Sequence, residues 1–240
     1  MSLVCIQVGQ CGNQVGQAFL NCIHEDAKRA NERGKSLYAQ TSLQRFFRPF
    51  STQEYNTPCA RAVLVDTESK AVQQMYRHVH KHSSWSYPES KDESFIKHGS
   101  GNNWALGYYT NGPTMLPHVM ENVRREVERC DCLEGFITFM SGAGGTGSGL
   151  GSLVSEALRD EYTRKYRMSQ LIWPHMSSRD VIIQDYNLIF TLASLYRSSD
   201  GILTIQNDHV HSICSRVLGL KDFSLPDMNQ VIYNYILMNG

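Results

Sequence analysis

A glycine-rich segment, residues 141–151, is the part of this chain best suited to chemistry, and it lies between an apolar strand-like run and a helical pattern. Glycine has no Cβ, so successive backbone N–H groups can converge on one point. The helix that follows adds unpaired donors and partial positive charge at its N-terminus. The segment therefore predicts a site for an anionic phosphate group, formed by Gly144, Gly145, Thr146, Gly147 and Ser148.

Three known motifs resemble this segment but fit it less well. A P-loop requires a lysine after its last glycine, whereas Ser148 directly follows Gly147. A dinucleotide fingerprint is formally matched by Gly142, Gly144 and Gly147, but it lies in the third strand-helix unit, and no acidic residue ends the next strand. A nucleophile elbow needs a glycine two residues before its serine, where this chain has Thr146. A dinucleotide-dependent enzyme and a glycine-rich turn without a ligand stay open as alternatives.

Polar residues also follow the other predicted strands. Residues 9–16 begin a helix after the first strand, and residues 99–104 form a third loop rich in glycine and asparagine. After the second strand, Asp66 and Glu68 offer two carboxylates, and Mg²⁺ prefers such oxygen ligands while keeping several of its waters. The same pair would also serve as an N-cap with an acid in the first helical turn. Because the carboxyl ends of parallel strands share one crevice, we expect these loops to surround one ligand.

Alternating strand-like and helical segments must position these loops. Short β-branched runs predict strands at residues 3–8, 61–66, 135–140, 170–173 and 201–205. Amphipathic patterns predict helices at residues 14–29, 117–130, 150–166 and 181–196. This alternation predicts an α/β fold with a doubly wound, mostly parallel sheet and helices on both faces.

Two regions lie outside the alternation. Residues 31–58 lose periodicity and predict a long surface excursion between the first helix and the second strand. Residues 225–237 have apolar side chains three and four apart and predict a last long helix, with Pro226 in its first turn. We therefore expect one domain at residues 1–223 and the start of a core helix at residues 224–240.

The composition argues against several classes of function. No stretch reaches the roughly 18 apolar residues that a membrane span requires, and the N-terminus lacks the basic region of a secretory signal. Lysine and arginine total 23, as do aspartate and glutamate. The densest basic run, residues 124–129, is interleaved with Glu121, Glu126 and Glu128, which predicts a solvated helix face. We expect neither a nucleic-acid partner nor a membrane partner.

The cysteines and histidines do not predict a metal centre. The seven cysteines include no Cys-x-x-Cys pair, which indicates reduced thiols in a cytosolic protein. Cys11 is predicted at a helix N-terminus, which lowers a thiol's pKa, so a redox role stays open beside packing of the phosphate loop. The alternating His78, His80 and His82 are predicted to be solvent-facing residues near a helix end.

Taken together, the loops resemble the nucleotide-binding loops of tubulins. Residues 9–14, 101–105 and 144–149 carry the resemblance in the family's order and at similar spacing, and it covers essentially the whole chain. Residues 61–66, 171–174 and 195–200, with Ala143 in place of a glycine, are similar to the delta-type members in particular. The resemblance implies a GTP-binding cytoskeletal protein.

The resemblance also implies roles for individual residues in binding GTP or GDP. The phosphate-contacting positions are Gln10, Cys11 and residues 144–148. Those near the γ-phosphate and a magnesium ion, bound through water, are Asp66, Glu68 and Asn102. The ribose positions are Asp180 and Gln184, and the guanine positions are Asn207, Asn229 and Leu225. Alpha- and beta-tubulins have a glutamate in place of Gln184 and an aromatic ring in place of Leu225, so this chain would form a neutral hydrogen bond and an unstacked apolar contact there.

Activity, partners and location are implied in the same way. In tubulins, the acid that activates the attacking water follows the last helix predicted here, so we expect these residues to bind GTP and to hydrolyse it slowly or not at all. The implied partners are other tubulin subunits or centriolar proteins. The implied location is the cytoplasm and cytoskeleton, at centrioles or basal bodies, with a role in microtubule-based organisation. A scaffold whose pocket stays free of nucleotide is the other alternative.

Overall fold

Seven strands occur in the part of the chain that the computed structural model describes, which comprises residues 1–48, 57–88, 99–174, 183–219, 222, 224, 227–229 and 231–232. In chain order they are β1 (Ser2–Val8), β2 (Phe47–Arg48), β3 (Cys59–Ala60), β4 (Ala62–Val65), β5 (Leu133–Ser141), β6 (Tyr166–Trp173) and β7 (Gly201–Gln206). β2 and β3 form an antiparallel pair. The other five form one parallel sheet in the order β4-β1-β5-β6-β7.

Helices connect these strands. They are α1 (Gly9–Glu32), α2 (Ser36–Phe46), α3 (Ser69–His82), α4 (Gly112–Glu128), α5 (Gly151–Glu161), α6 (Gln184–Ser198) and α7 (Asn207–Ser212). π-Helical turns at Leu106–Asn111 and Thr146–Leu150 lead directly into α4 and α5, and a third, Ile213–Val217, follows α7. None of the described helices is both long enough and apolar enough to span a membrane.

Helices cover both faces of the sheet because successive side chains of each strand point to opposite faces. Cys5 and Phe139 pack with Phe19 of α1 in one core. Ile6 and Met140 pack with the apolar stripes of α4, α5 and α6 in the other. Each fully buried side chain of this kind stabilises the fold by about 1.5–3 kcal/mol. The predicted doubly wound α/β fold is confirmed.

The strand order determines where a ligand can bind. From β1 the chain crosses to β4 on one side, and it then returns to β5 on the other side of β1. The connections therefore diverge at the carboxyl ends of β1 and β5. In open α/β sheets a crevice forms at such a switch point, and ligands bind there.

Most described residues of the predicted surface excursion at 31–58 are exposed or half-buried, as expected, but the segment has regular structure that the sequence did not predict. α1 continues to Glu32, and α2 and β2 follow. Phe46 and Phe47 are buried, with Phe46 packed edge-on against Phe19 at 5.4 Å and Phe47 against Trp85 at 5.7 Å between ring centroids. α2 buries only its Ala39 and Phe46, so its sequence lacks the apolar period that marks a helix.

Some predicted boundaries also differ from those observed. α5 ends at Glu161, whereas the predicted helix extended to residue 166, where β6 already begins. The first residues of β6 are exposed or half-buried, so no apolar run marks its start. α4 begins at Gly112, five residues before the predicted start. The described residues of the last predicted helix, 227–229 and 231–232, are helical, while Leu225 and Pro226 lie outside the described residues.

The predicted solvated face of α4 is confirmed for most of its charges and wrong for one. Arg124 and Arg125 both pair with Glu121 at the surface, and Arg124 also pairs with Glu128. Glu126, in contrast, is only 3% exposed and pairs with Arg48 and Arg129. Arg48 lies 78 residues earlier in the chain, so helical spacing alone could not reveal this contact.

Candidate functional site

A cavity of about 580 Å³ opens at the carboxyl ends of β1, β4 and β5. It is lined by residues 8–11 after β1, by residues 66–68 and Ala71 after β4, by residues 99–102, and by Ser141 and residues 144–147 after β5. Its volume lies within the usual range of roughly 300–1,000 Å³ for ligand pockets. The cavity thus lies at the switch point of the sheet, where a ligand is expected.

Most of the predicted site residues meet at this cavity. Nine of them line it, namely Gln10, Cys11, Asp66, Glu68, Asn102, Gly144, Gly145, Thr146 and Gly147. They come from four separate segments, of which three directly follow β1, β4 and β5 at one edge of the sheet and the fourth, residues 99–102, lies beside them. The predicted convergence of the loops is therefore observed, whereas the contact that each residue makes with a ligand stays a prediction.

Other predicted site residues lie elsewhere or are not described. Ser148 is fully buried, and its hydroxyl donates a hydrogen bond to the Gly144 carbonyl inside the loop. Gln184 begins α6, Asn207 begins α7 and Asn229 lies in the last helical segment, and none of the three lines the cavity. Asp180 and Leu225 lie outside the described residues.

Two glycines are required because separate loops touch through their backbones. Gly9 has a φ of +74°, and a Cβ there would lie 2.9 Å from the Gly147 nitrogen. A Cβ on Gly149 would lie 2.2 Å from the Trp104 carbonyl oxygen. Both distances are too short for a side chain, so packing between loops, as well as access to a phosphate, explains the glycine content.

Gly144 differs from those glycines because its missing side chain leaves space in the cavity. The nearest atom to a Cβ built there is the Asn102 Oδ1 at 3.9 Å. The absence of a side chain at Gly144 therefore keeps open a space that a ligand could occupy.

Hydroxyl groups connect three of the loops at the cavity wall. The Thr146 hydroxyl lies 2.9 Å from the Thr67 hydroxyl and 3.1 Å from the Ser100 hydroxyl. Ser100 also accepts a hydrogen bond of 3.0 Å from the Asn111 amide nitrogen. Sequence reasoning assigned no role to Thr67, Ser100 or Asn111, since bonds between distant loops leave no local pattern.

Asp66 is the most unusual charged group of the site. Its Oδ1 accepts a hydrogen bond from the Glu68 backbone N–H at 3.2 Å, whereas its Oδ2 is buried without a partner. Burial raises the pKa of Asp66 to about 6, and the nearby Glu68 charge raises this pKa further, while the backbone N–H groups of Glu68 and Thr67 and the Asn13 side chain oppose the shift. A carboxylate with an unused buried oxygen can readily accept a cation.

Magnesium fits this arrangement only if other ligands complete its coordination. Asp66 and Glu68 both line the cavity, but no cluster of three or more metal-binding His, Cys, Asp or Glu side chains occurs among the described residues. Mg²⁺ commonly binds one or two carboxylates, keeps several waters and uses phosphate oxygens of a substrate. The donor set is therefore compatible with a magnesium ion that is bound together with a phosphate ligand.

The predicted lowering of the Cys11 thiol pKa is wrong. Burial raises the pKa of this thiol to about 12, because desolvation disfavours the thiolate. Cys11 packs against the core beneath α1. A packing role is therefore better supported than a redox role.

The three histidines confirm their predicted placement. His78, His80 and His82 lie on α3 and are all exposed, with the rings of His78 and His82 4.8 Å apart. They belong to no cluster of three or more metal-binding side chains among the described residues.

Asn187 of α6 is a structural residue of the site that sequence reasoning missed. Its amide nitrogen donates to the Asn102 and Ala143 carbonyls, both at 2.7 Å, and its Oδ1 accepts from the Trp104 backbone N–H at 2.9 Å. One buried side chain thus connects two cavity loops to α6. The available signal was an asparagine within the apolar stripe of a helix, where an amide needs internal partners.

Comparisons with known proteins agree with this geometry. The model of the family described as "Tubulin/FtsZ family, GTPase domain" matches residues 2–215. The tubulin delta chain of Homo sapiens is 44% identical over 237 residues, which cover 97% of this chain and 51% of the relative. The delta chain of Mus musculus is 43% identical with the same coverage. The tubulin beta-1 chain of Homo sapiens is 33% identical over 235 residues, 96% of this chain and 50% of the relative. The chain therefore spans about half the length of these curated relatives.

Proposed function

The chain belongs to the Tubulin/FtsZ family, and on that premise we propose that its cavity binds the phosphate groups of a guanine nucleotide. The predicted resemblance to tubulins, and to their delta-type members in particular, is confirmed by the family match and by the relatives' identities. The observation that carries the proposal is the meeting of four polar segments at one cavity of the sheet's switch point.

The proposed binding mode assigns the phosphates, the ribose and the guanine to three groups of residues. Residues 144–147 and the segment with Gln10 and Cys11 would surround the phosphates, because they line the cavity with backbone N–H groups and hydroxyls. Asp180 and Gln184 would contact the ribose. Asn207, Asn229 and Leu225 would contact the guanine, where an amide can both donate and accept.

We further propose that Asp66 and Glu68 hold a magnesium ion through water when the nucleotide is bound. A bound magnesium ion would neutralise part of the phosphate charge. The support is the buried Asp66 oxygen without a partner, together with the raised pKa of its carboxyl group. A cation would relieve the cost of that buried charge.

We propose that these 240 residues alone hydrolyse GTP slowly or not at all. Among the described residues that line the cavity, the acids are Asp66 and Glu68, and both are assigned to magnesium. Neither is therefore available to activate an attacking water. A phosphate-release assay with GTP would contradict this proposal if turnover matched that of assembled tubulin.

The higher identity to delta chains than to a beta chain supports proposals about the cellular role. We propose that the protein acts in the cytoplasm and cytoskeleton, at centrioles or basal bodies. Its partners would be tubulin subunits or centriolar proteins. Imaging of a tagged full-length protein in ciliated cells tests this, and an even distribution with no enrichment at centrioles would contradict it.

Thermal unfolding with a nucleotide panel tests the binding proposal. We expect GTP and GDP with magnesium to raise the melting temperature, since a ligand at about 100 times its Kd stabilises by about 2.7 kcal/mol. ATP at the same concentration is the matched control. Protection by a dinucleotide alone would favour the enzyme alternative. Absence of protection by every ligand, with no guanine nucleotide released from the purified protein on denaturation, would favour the scaffold alternative.

A further inference from the structure

Three hydroxyl groups and one amide form a continuous hydrogen-bonded chain beside the cavity. Asn111 donates to Ser100 at 3.0 Å, Ser100 lies 3.1 Å from Thr146, and Thr146 lies 2.9 Å from Thr67. Thr67 and Ser100 are almost completely buried, and all three hydroxyl-bearing residues line the cavity. Asn111 is also buried but does not line it.

The number of hydroxyl hydrogens in this hydrogen-bonded chain determines whether a hydrogen-bond donor remains for a ligand. Each hydroxyl has one hydrogen to donate, so the chain contains three. The two contacts between hydroxyls use one hydrogen each. Because Asn111 donates to Ser100, it takes no hydrogen from the chain. One hydroxyl hydrogen is therefore left over, and it belongs to one of three residues that line the cavity.

We propose that this chain of hydroxyls keeps one hydroxyl donor available to an anionic oxygen of the ligand, and that Asn111 is a positioning residue that preserves this donor because its amide gives a hydrogen to Ser100 and takes none from the chain. The inference rests on the proposed function, in which that oxygen belongs to a phosphate group. Thr67, Ser100 or Thr146 presents the donor, and Asn111, which does not line the cavity, makes no contact with the ligand.

A substitution that reverses the donor at position 111 distinguishes this role from simple packing. In Asn111→Asp, the carboxylate can only accept, so it takes the Ser100 hydrogen. Three hydrogen bonds then use all three hydroxyl hydrogens. The hydroxyl groups can therefore only accept hydrogen bonds, and none can donate to the phosphate. In Asn111→Leu the side chain neither donates nor accepts, so one hydrogen is still left over.

The test measures the affinity for GDP with magnesium by calorimetry, and for guanosine by competition. We expect Asn111→Asp to lose about tenfold or more in affinity for GDP relative to Asn111→Leu, the size typical of a hydrogen bond to a charged group. Guanosine has no phosphate, so its affinity should change equally in the two variants. A purely structural role for Asn111 would affect both ligands alike.

A double variant distinguishes the effect of the lost hydroxyl donor on GDP affinity from the effect of the added negative charge. In Ser100→Ala combined with Asn111→Asp, two hydroxyls share one bond, so one hydrogen is left over again while the charge at position 111 stays. We expect this double variant to bind GDP several-fold more tightly than Asn111→Asp. Equal affinities would overturn the proposal.

A neutral series keeps the proposal testable if Asn111→Asp does not fold. Thr67→Val and Ser100→Ala each leave one spare hydrogen, whereas removal of all three hydroxyls, with Thr146→Val added, leaves none. We expect the triple variant to lose more affinity for GDP than the product of the separate losses. Additive losses would overturn the proposal. Failure of the wild-type protein to bind GDP would instead overturn the proposed function.

Discussion

The two ends of the parallel sheet differ in how their buried acidic side chains are paired. At the amino ends of the strands, Glu126 lies between Arg48 and Arg129, and Arg61 donates to the Arg129 carbonyl at 3.0 Å. At the carboxyl ends, Asp66 has a buried oxygen without a partner, and the hydroxyl chain is left with one unused hydrogen. The buried acid of one end is paired, while that of the other end is not.

This difference indicates that one end of the sheet contributes mainly to the stability of the fold and the other mainly to ligand binding. A buried acid with two arginine partners contributes to a closed structure, and removing it leaves those partners unpaired. An unpaired acid raises the free energy of the ligand-free fold and leaves capacity for a cation. We therefore expect substitutions at the amino ends to act on unfolding, and substitutions at the carboxyl ends to act on binding.

Glu126→Leu should have the largest effect. It leaves Arg48, whose side chain is 14% exposed, without its ionic partner, so we expect the free energy of unfolding to fall by about 3–5 kcal/mol. Urea denaturation measures this, and Glu121→Leu on the exposed face of α4 is the matched control, with a much smaller loss expected. A similar loss in both variants would contradict the distinction between buried and exposed acids.

Gly144→Leu should abolish binding with little effect on folding. The side chain enters the open space of the cavity, where a Cβ meets only Asn102 at 3.9 Å. We expect the affinity for GDP to fall at least about a hundredfold, or about 2.7 kcal/mol. Gly144→Ala should show a smaller loss, and urea denaturation should give both variants nearly the wild-type stability. Unchanged affinity in Gly144→Leu would mean that the ligand does not use this space.

Asp66→Asn should stabilise the ligand-free protein. It removes a buried charge that has an unused oxygen, so at pH 8 we expect the free energy of unfolding to rise by about 1–2 kcal/mol. The same change should remove the dependence of GDP affinity on magnesium. Glu68→Gln is the control, because Glu68 is exposed and its loss should leave stability unchanged. A destabilised Asp66→Asn variant would show that the carboxylate is better satisfied than its contacts indicate.

Substitution of His24 should have the smallest effect on stability, and this effect should depend on pH. His24 lies in the second half of α1, and the centroid of its ring is 5.7 Å from that of Phe47, the residue before Arg48. Burial lowers the pKa of His24 below its ordinary value of 6.5; the nearby Glu25 raises this pKa and Lys28 lowers it. The folded state therefore binds fewer protons than the unfolded state, so this contribution to stability is present above pH 6.5 and is lost as the pH falls below it.

His24→Phe should remove that acid sensitivity while keeping a ring against Phe47. Urea midpoints at pH 7.5 and pH 5 measure the effect, and we expect the wild-type protein to lose more stability between them than the variant. His80→Phe, on the exposed surface of α3, is the control and should keep the wild-type pH dependence. Equal pH dependence in His24→Phe and wild type would contradict burial of a neutral imidazole.

The sequence predicted the parallel sheet and the meeting of the loops because both depend on local patterns. Each strand was a short apolar run, and three of the four polar segments directly followed one, so sheet geometry brought Gln10, Asp66 and Thr146 to one edge. Asn102 directly follows none of the described strands, and its place at the cavity depends on contacts between loops. The roles of Asp180 and Leu225 stay predictions, since neither lies within the described residues. The division of the chain after residue 223 also stays a prediction.

Long-range contacts explain what the sequence did not predict. The burial of Glu126 depends on Arg48, and the connection through Asn187 depends on backbone carbonyls of two distant loops. α2 was missed because it buries too few side chains to show a period. The pKa of Cys11 was predicted with the wrong sign, because a position at a helix start is visible in the sequence and desolvation is not.

Asn187 has a consequence beyond the cavity itself. Its amide holds the Asn102 and Ala143 carbonyls on one side, and on the other its helix exposes Tyr186, Ile189 and Phe190 to solvent. The Trp104 ring also packs on Phe190, with 5.3 Å between the ring centroids, so at least two side chains join the loops to α6. A ligand that displaced either loop would therefore also act on the exposed residues of α6.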